Sequence, residues 1–146
     1  MADIRTREIN GNEYQILIPS ARKSMKLAEK ASFLLGPIVA TLGMNASDGM
    51  GKLSMAISSV DSDAADSLLM SAASISNLSY EGGTIADNDA KFESHFMNKR
   101  KDIFPVLIWC LWENVKDFLP DLEAFGQILT AKFGQALDKV QSQKNG

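Results

Sequence analysis

The sequence predicts a mainly α-helical fold, a compact bundle of about five to six helices with a small N-terminal β-hairpin. Long segments repeat apolar side chains with helical spacing, turn signals separate them, and clear strand-like alternation is confined to the N-terminus. The chain has 146 residues, 45% hydrophobic and 23% charged, which is typical of one globular domain. We expect a single helical domain over residues 1–140, with the hairpin in 1–19, and a polar tail at 141–146.

The hairpin is predicted by a turn sequence, NGN at residues 10–12. Asparagine followed by glycine favours the two-residue turns that join antiparallel strands. Apolar side chains then alternate at Tyr14, Ile16 and Ile18, as in a strand with one buried face. Pro19 ends this strand, because proline has no backbone N–H to donate.

The first helix is predicted over residues 21–35. Its apolar side chains recur with helical spacing between charged ones, and Ser20 is a suitable N-cap. We expect Gly36-Pro37 to interrupt this helix, because glycine is a poor helix former and proline cannot donate a helical hydrogen bond. A short continuation over 38–42 then leaves at a kink.

The middle of the chain is rich in serine, alanine and methionine. Helical spacing predicts two modest helices over 52–60 and 62–77, separated at Asp61. Methionine is unbranched and adaptable, so it suits either an irregular core or a surface that accepts more than one shape. Met55 and Met70 are therefore candidates for a partner-binding surface as well as for the core.

A turn signal at Gly82-Gly83 precedes the C-terminal half. The β-branched residues that follow favour one short extra strand near 83–86, placed beside the N-terminal hairpin. Asp87 or Asn88 can then cap a helical turn over the sequence KFESHF.

The last two predicted helices are rich in aromatic residues. Asp102 is placed to cap the first of them, Pro105 is tolerated in its first turn, and residues 106–112 read VLIWCLW. This apolar run is much shorter than the roughly 20 residues that span a bilayer, so we expect a buried helix and no membrane segment. Pro120 ends it, and Asp121 opens a final helix with one apolar face.

Residue types that perform catalysis or bind metals are scarce. His95 and Cys110 are the chain's single histidine and single cysteine. We interpret His95 as a packed or capping side chain and Cys110 as an inert thiol within an apolar run. One histidine and one cysteine cannot make a closed zinc site. The sequence therefore predicts a protein that is not an enzyme, with no cofactor and no metal.

Charge and the N-terminal sequence indicate where the protein acts. A formal charge of −3 and a pI near 5.1 argue against a nucleic-acid partner, since phosphate binding draws on surplus lysine and arginine. The N-terminal residues lack the apolar run of a secretory signal, so we expect a cytoplasmic protein.

Large apolar side chains are the remaining candidates for function. Trp109 and Trp112 lie on neighbouring faces of one helix, and each can bury on the order of 200 Å². Such side chains either fix a core or hold a partner; the core interpretation is stronger for Trp109 than for Trp112, which adjoins polar residues. The candidate partner-binding residues are Trp109, Trp112, Val115, Phe118, Phe125, Met55 and Met70.

Two blocks of the sequence resemble the tail assembly chaperones of long-tailed bacteriophages. The first block consists of YQILIP at residues 14–19, Ala21 in a P-x-A pattern, and LLGP at 34–37. The second block follows the pattern HF, L, N, FF. Its matching residues are His95, Phe96, Leu111, Asn114 and Phe118, with Leu119 in place of a second aromatic residue.

The resemblance implies a non-catalytic protein of the host cytoplasm, made during phage infection. Such chaperones coat the long, helical, aggregation-prone tape-measure protein and help to recruit tail-tube subunits around it. No membrane partner is implied, and self-association into a homo-oligomer is left open. The alternatives are a structural virion component, such as a tail-completion or tube-joining protein, and a small host-directed protein-binding module.

Overall fold

A computed structural model describes residues 3–42 and 49–118, together with Ala124, Ile128 and Ala131. The fold is mainly α-helical, as the sequence predicts. The strands are β1 (Asp3–Ile9), β2 (Asn12–Ile18), β3 (Ser79–Tyr80) and β4 (Gly83–Thr84). The helices are α1 (Ala21–Leu42), α2 (Gly49–Ser58), α3 (Ser62–Ile75), α4 (Asp89–Phe96) and α5 (Ile103–Val115). Short 3-10 turns at Arg100–Asp102 and Lys116–Phe118 precede and follow α5.

The predicted N-terminal hairpin is confirmed. β1 pairs with β2 in antiparallel register, and Asn10 and Gly11 form the turn with φ values of 52° and 83°. Two positive φ values give a tight turn whose twist matches antiparallel strands, and glycine adopts this conformation without steric cost. The turn chemistry alone therefore fixes the register of the first two strands.

A smaller second hairpin confirms the extra strand predicted near 83–86. The sheet order is β1-β2-β3-β4, so β3 joins the N-terminal hairpin to β4. Its turn lies at Glu81 and Gly82, one residue before the predicted position. The sequence does not predict β3, because a two-residue strand has no readable alternation.

The predicted interruption of the first helix is wrong. α1 continues as one helix from Ala21 to Leu42, with Pro37 inside it. Proline removes one helical hydrogen bond, but its fixed φ is close to the helical value, so a helix can pass through it when packing supports both sides. Leu35 and Gly36, immediately before the proline, are buried.

Asp61 separates α2 from α3, as predicted. Its Oδ2 accepts a hydrogen bond from the backbone N–H of Ala64 at 3.1 Å, which satisfies one of the free donors at the start of α3. Asn88 caps α4 in the same way, through the backbone N–H of Lys91 at 2.9 Å. The residue types predict the boundary at Asp61 and leave Asp87 and Asn88 as alternatives for α4; the structure selects Asn88.

α5 is the central helix of the fold and packs against α1, α2 and α3. Nearly every side chain of its middle and last turns is buried. They are Val106, Leu107, Ile108, Trp109, Cys110, Leu111, Trp112, Asn114 and Val115. None of the described helices has the length and apolar composition that a bilayer span requires.

A buried amide ties three segments together at the end of α5. The Nδ2 of Asn114 donates to Ser76 Oγ and to the Cys110 carbonyl, both at 2.7 Å, and its Oδ1 accepts from Ser24 Oγ at 3.4 Å. A buried polar group is stable only when it is hydrogen-bonded, and this one is. Asn114 therefore fixes the relative positions of α1, α5 and the residue after α3.

Candidate partner-binding site

The aromatic face of α5 is interior. Trp109 is 2% exposed, Trp112 is 8% exposed and Val115 is fully buried. The ring of Trp112 lies against Gly49 at the start of α2, where a side chain would collide with it. These three residues belong to the core, so the partner surface that we propose below does not include them.

The other predicted residues lie in separate places. Met55 is 57% exposed on α2, Met70 is half-buried on α3, and Phe118 is half-buried in the turn after α5. Phe125, with the rest of the apolar face of the predicted last helix, lies outside the described residues, although Ala124, Ile128 and Ala131 are helical. Of the described candidates, Met70 alone lines the groove described next.

A groove runs between α1 and α3 on the surface of the fold; we call it the α1–α3 groove. It consists of two adjoining cavities, about 560 and 400 Å³ in volume, which share Lys30 and Ser67. The residues that line it from α1 are Lys23, Lys26, Leu27, Lys30, Phe33 and Leu34. From α3 they are Ala64, Ser67, Leu68, Met70, Ser71, Ser74 and Ile75.

The sequence builds this groove from two helical stripes. On α1 the lining residues recur at steps of three and four, which places them on one side of the helix. On α3 the corresponding stripe is mostly small, with alanine at 64 and serine at 67, 71 and 74. Small side chains cannot fill the space beside α1, and the groove remains open. Along residues 23–34 it extends about 17 Å, or three helical turns.

The groove combines an apolar floor with a charged rim. Leu27 and Leu68 are buried beneath it, and Phe33 stands at one end with 71% of its surface exposed. Lys23, Lys26 and Lys30 lie along the α1 side and are exposed. The sequence predicts Met70 as a candidate but does not single out the three lysines. Their spacing of three and four residues is the signal that could have identified them.

A second polar feature lies at the other side of the fold, around Asp102, which is 2% exposed. Its carboxylate accepts hydrogen bonds from Asn10 Nδ2 at 2.8 Å, Asn12 Nδ2 at 2.9 Å and the Tyr14 hydroxyl at 2.6 Å. The predicted capping role is therefore wrong: Asp102 occupies the N-cap position of α5, but its side chain makes no capping bond. It anchors the N-terminal hairpin instead. We call Asp102 and its three donors the carboxylate cluster.

The hydrogen bonds of this cluster stabilise the ionised form of Asp102. Burial alone would raise the pKa of the carboxyl, but the bonds from Tyr14, Asn10 and Asn12 outweigh it, and the pKa lies below its ordinary value. Burial and the bond to Asp102 raise the pKa of the Tyr14 hydroxyl above its ordinary range. Tyr14 therefore remains a donor to a charged acceptor.

His95 adjoins this cluster as a packed side chain. Its Nε2 lies 3.0 Å from the Tyr14 oxygen. Because the Tyr14 hydrogen goes to Asp102, His95 is the donor in this contact. Its ring packs against Tyr80 and Phe96 at centroid distances of 4.7 and 4.6 Å. Burial, with a contribution from Lys99, lowers the pKa of His95.

Neither Tyr14 nor His95 lines the open cavity of about 470 Å³ found beside Asp102 in the described part of the chain. The described residues contain no group of three or more side chains able to hold a metal ion. Cys110 is buried, and burial raises the pKa of its thiol, so the ionised, reactive form is disfavoured. The hydrogen bonds of the carboxylate cluster, with the packing of His95, hold the N-terminal hairpin against α4 and α5.

Comparison with known proteins gives one result. A family model described as "Phage tail assembly chaperone protein, TAC" matches residues 10–126. The match includes all of β2, both strands of the second hairpin and the described helices α1 to α5. No curated protein and no solved structure matches the chain.

Proposed function

The chain belongs to the phage tail assembly chaperone family, and from this premise we propose that it binds the tape-measure protein and keeps it soluble until the tail tube forms around it. We further propose that it helps to recruit tail-tube subunits and that it acts in the cytoplasm of the host cell. Its partners in this proposal are proteins, not nucleic acid or membranes.

The observation that carries the proposal is the α1–α3 groove. A client that is long and helical presents one apolar stripe per helix, and such a stripe binds in a groove of matching width with an apolar floor. The groove is about three helical turns long and is lined by exposed or half-buried apolar side chains, including Phe33 and Met70. Methionine adapts its shape, which suits a surface that must accept successive segments of one client.

We also propose that the protein is not catalytic. Both oxygens of Asp102 are occupied by internal donors, and the hydroxyl of Tyr14 is buried. His95 is held between aromatic rings. These groups support the fold, since a general base needs a free path to the proton that it removes.

The test is co-expression with the tape-measure protein of the same phage. The wild-type chain should raise the soluble yield of that client, and Phe33→Ser should reduce the effect because it removes the exposed ring at the end of the groove. Phe104→Ser is the matched control, since Phe104 is also an exposed phenylalanine but does not line the groove. Equal yields with and without the wild-type chain would contradict the proposal.

A second measurement separates a chaperone from a structural virion component. An assembly chaperone leaves before the tail is complete, so mass spectrometry of purified virions should not detect it in stoichiometric amounts. Its presence at a fixed number of copies per virion would favour a tail-completion or tube-joining role instead. Binding to a host protein, with no effect on the client, would favour a host-directed module.

A further inference from the structure

The α1–α3 groove carries positive charge along one rim. Lys23, Lys26 and Lys30 follow one another at steps of three and four residues, so their ammonium groups form a row on one side of α1. Within the described part of the chain these lysines form no ion pair, and none of the residues lining the groove carries a carboxylate. The charge of this rim is therefore not neutralised across the groove.

The facing rim is uncharged. Ser67, Ser71 and Ser74 of α3 lie opposite the lysines and are exposed or half-buried. The groove thus has one cationic edge, one small hydroxyl edge and an apolar floor between them. Two edges of different character distinguish one flank of a bound helix from the other, which an apolar groove alone cannot do.

We infer that the occupant is an amphipathic helix of the tape-measure client that carries carboxylates along one flank. The apolar face of such a helix fits the floor, and aspartate or glutamate residues at i, i+3 and i+7 along its flank match the spacing of the three lysines. This inference rests on the proposed function. It adds the chemistry of the bound segment and the side of the groove on which its charges lie.

The apolar floor distinguishes this occupant from a phosphate chain. A nucleic acid would meet the lysines but would leave Leu27, Leu34 and Met70 uncovered, whereas an amphipathic helix covers the floor and the rim together. The net charge of the whole chain, −3, also disfavours a polyanion. An acidic flank on an otherwise apolar helix is attracted locally by the lysine row.

The first experiment measures the affinity of the full chain for purified tape-measure protein. The variant Lys23→Glu/Lys26→Glu/Lys30→Glu should bind roughly tenfold or more weakly than the wild type. The matched control Arg7→Glu/Lys91→Glu/Lys101→Glu makes the same change in net charge away from the groove and should stay within about twofold. Thermal melting of all three proteins by circular dichroism verifies that each is folded.

Salt dependence gives an independent readout of the same contacts. Raising NaCl from about 50 to about 500 mM should weaken wild-type binding, because salt screens exposed charges. It should not weaken binding of the groove variant, because there salt screens a repulsion between the new glutamates and the carboxylates of the client. If the wild type binds and the groove variant binds equally well with the same salt dependence, the inference is overturned while the proposed function stands. If the wild type does not bind, the proposed function fails.

Synthetic peptides test the inference without the client. A helical peptide of about three turns with a leucine face and three glutamates on one flank should bind the wild-type chain, and the same peptide with lysines in those positions should not. Equal binding of both peptides would overturn the inference. Size-exclusion chromatography gives a further check. If the wild type is an oligomer and the groove variant a monomer, a second copy of this chain occupies the groove, and the inference is overturned.

Discussion

The carboxylate cluster predicts a large effect from replacing one buried carboxyl. Asp102→Asn keeps the size of the side chain but removes its charge. A hydrogen bond to a charged acceptor contributes roughly 1.5–3 kcal/mol, against about 0.5–1.5 kcal/mol for a neutral pair. If the amide oxygen takes the place of Oδ2, Tyr14 and Asn12 keep their acceptor, and the exposed Asn10 can turn its own amide. About two hydrogen bonds then have a neutral acceptor in place of a charged one. We therefore expect the free energy of unfolding to fall by roughly 2 kcal/mol.

Urea denaturation followed by circular dichroism measures this loss. Asp102→Ala should cost more, about 3–4 kcal/mol, because it also leaves a cavity and removes the acceptor of the buried Tyr14 hydroxyl. Asp87→Asn is the matched control: Asp87 is an exposed carboxylate paired with Lys91 at 2.9 Å, and its replacement should leave the denaturation midpoint unchanged within error. A double-mutant cycle with Tyr14→Phe should give a coupling of about 1 kcal/mol.

The same cluster makes stability depend on pH in acid. The folded-state pKa of Asp102 lies below its ordinary value of 3.8. A group of this kind contributes stability above its unfolded pKa and loses that contribution as the pH falls through the folded pKa. Asp102→Asn should therefore unfold less steeply than the wild type below about pH 4. Equal midpoints for Asp102→Asn and Asp87→Asn, with equal acid dependence, would refute the reasoning.

Three further predictions concern the core and His95. Trp112→Ala should lower the free energy of unfolding by roughly 3–5 kcal/mol, measured in urea, since it empties a buried site; an unchanged midpoint would place the ring on the surface. Gly49→Ala should lower stability by about 1–3 kcal/mol, seen as a lower melting temperature, because the new methyl group collides with the Trp112 ring. The folded-state pKa of His95 lies below 6.5, so stability should fall as the pH decreases below that value. His95→Gln should flatten this dependence between about pH 7.5 and 5.5, and an unchanged slope would contradict the assignment.

Local features of the fold could be predicted because their causes are local. The turn at Asn10-Gly11 follows from two residue types that tolerate positive φ, and the caps at Asp61 and Asn88 follow from a side chain three residues before its donor. Asp102 looks like the same kind of cap in the sequence. Its side chain turns away because the competing donors come from the N-terminal hairpin, about 90 residues earlier in the chain. No spacing rule within one helix can show such partners.

The candidate site could be predicted only in part. The adaptability of methionine pointed to Met70, which lines the groove, and equally to Met55, which does not. The aromatic residues of α5 had the composition of a binding surface, and three packed neighbouring helices bury them instead. A groove exists only where two helices lie side by side with small residues between them. Its position therefore depends on helix pairing, which the hydrophobic pattern of each helix does not specify.

Most of the described residues that carry the family resemblance are buried or half-buried. Tyr14 and Leu111 are fully buried, Asn114 is hydrogen-bonded inside the core, and Phe96 packs beneath His95. Side chains in these places hold the sheet and the helices together, and a client cannot touch them.

If the α1–α3 groove binds the client as proposed, the choice of client depends on groove residues outside the two blocks, such as Lys26 and Met70. Leu34 belongs both to the first block and to the groove. Exchanging the exposed groove residues between two members of the family should then transfer client preference without loss of stability. Exchanging the buried residues should change stability and leave client preference as it was.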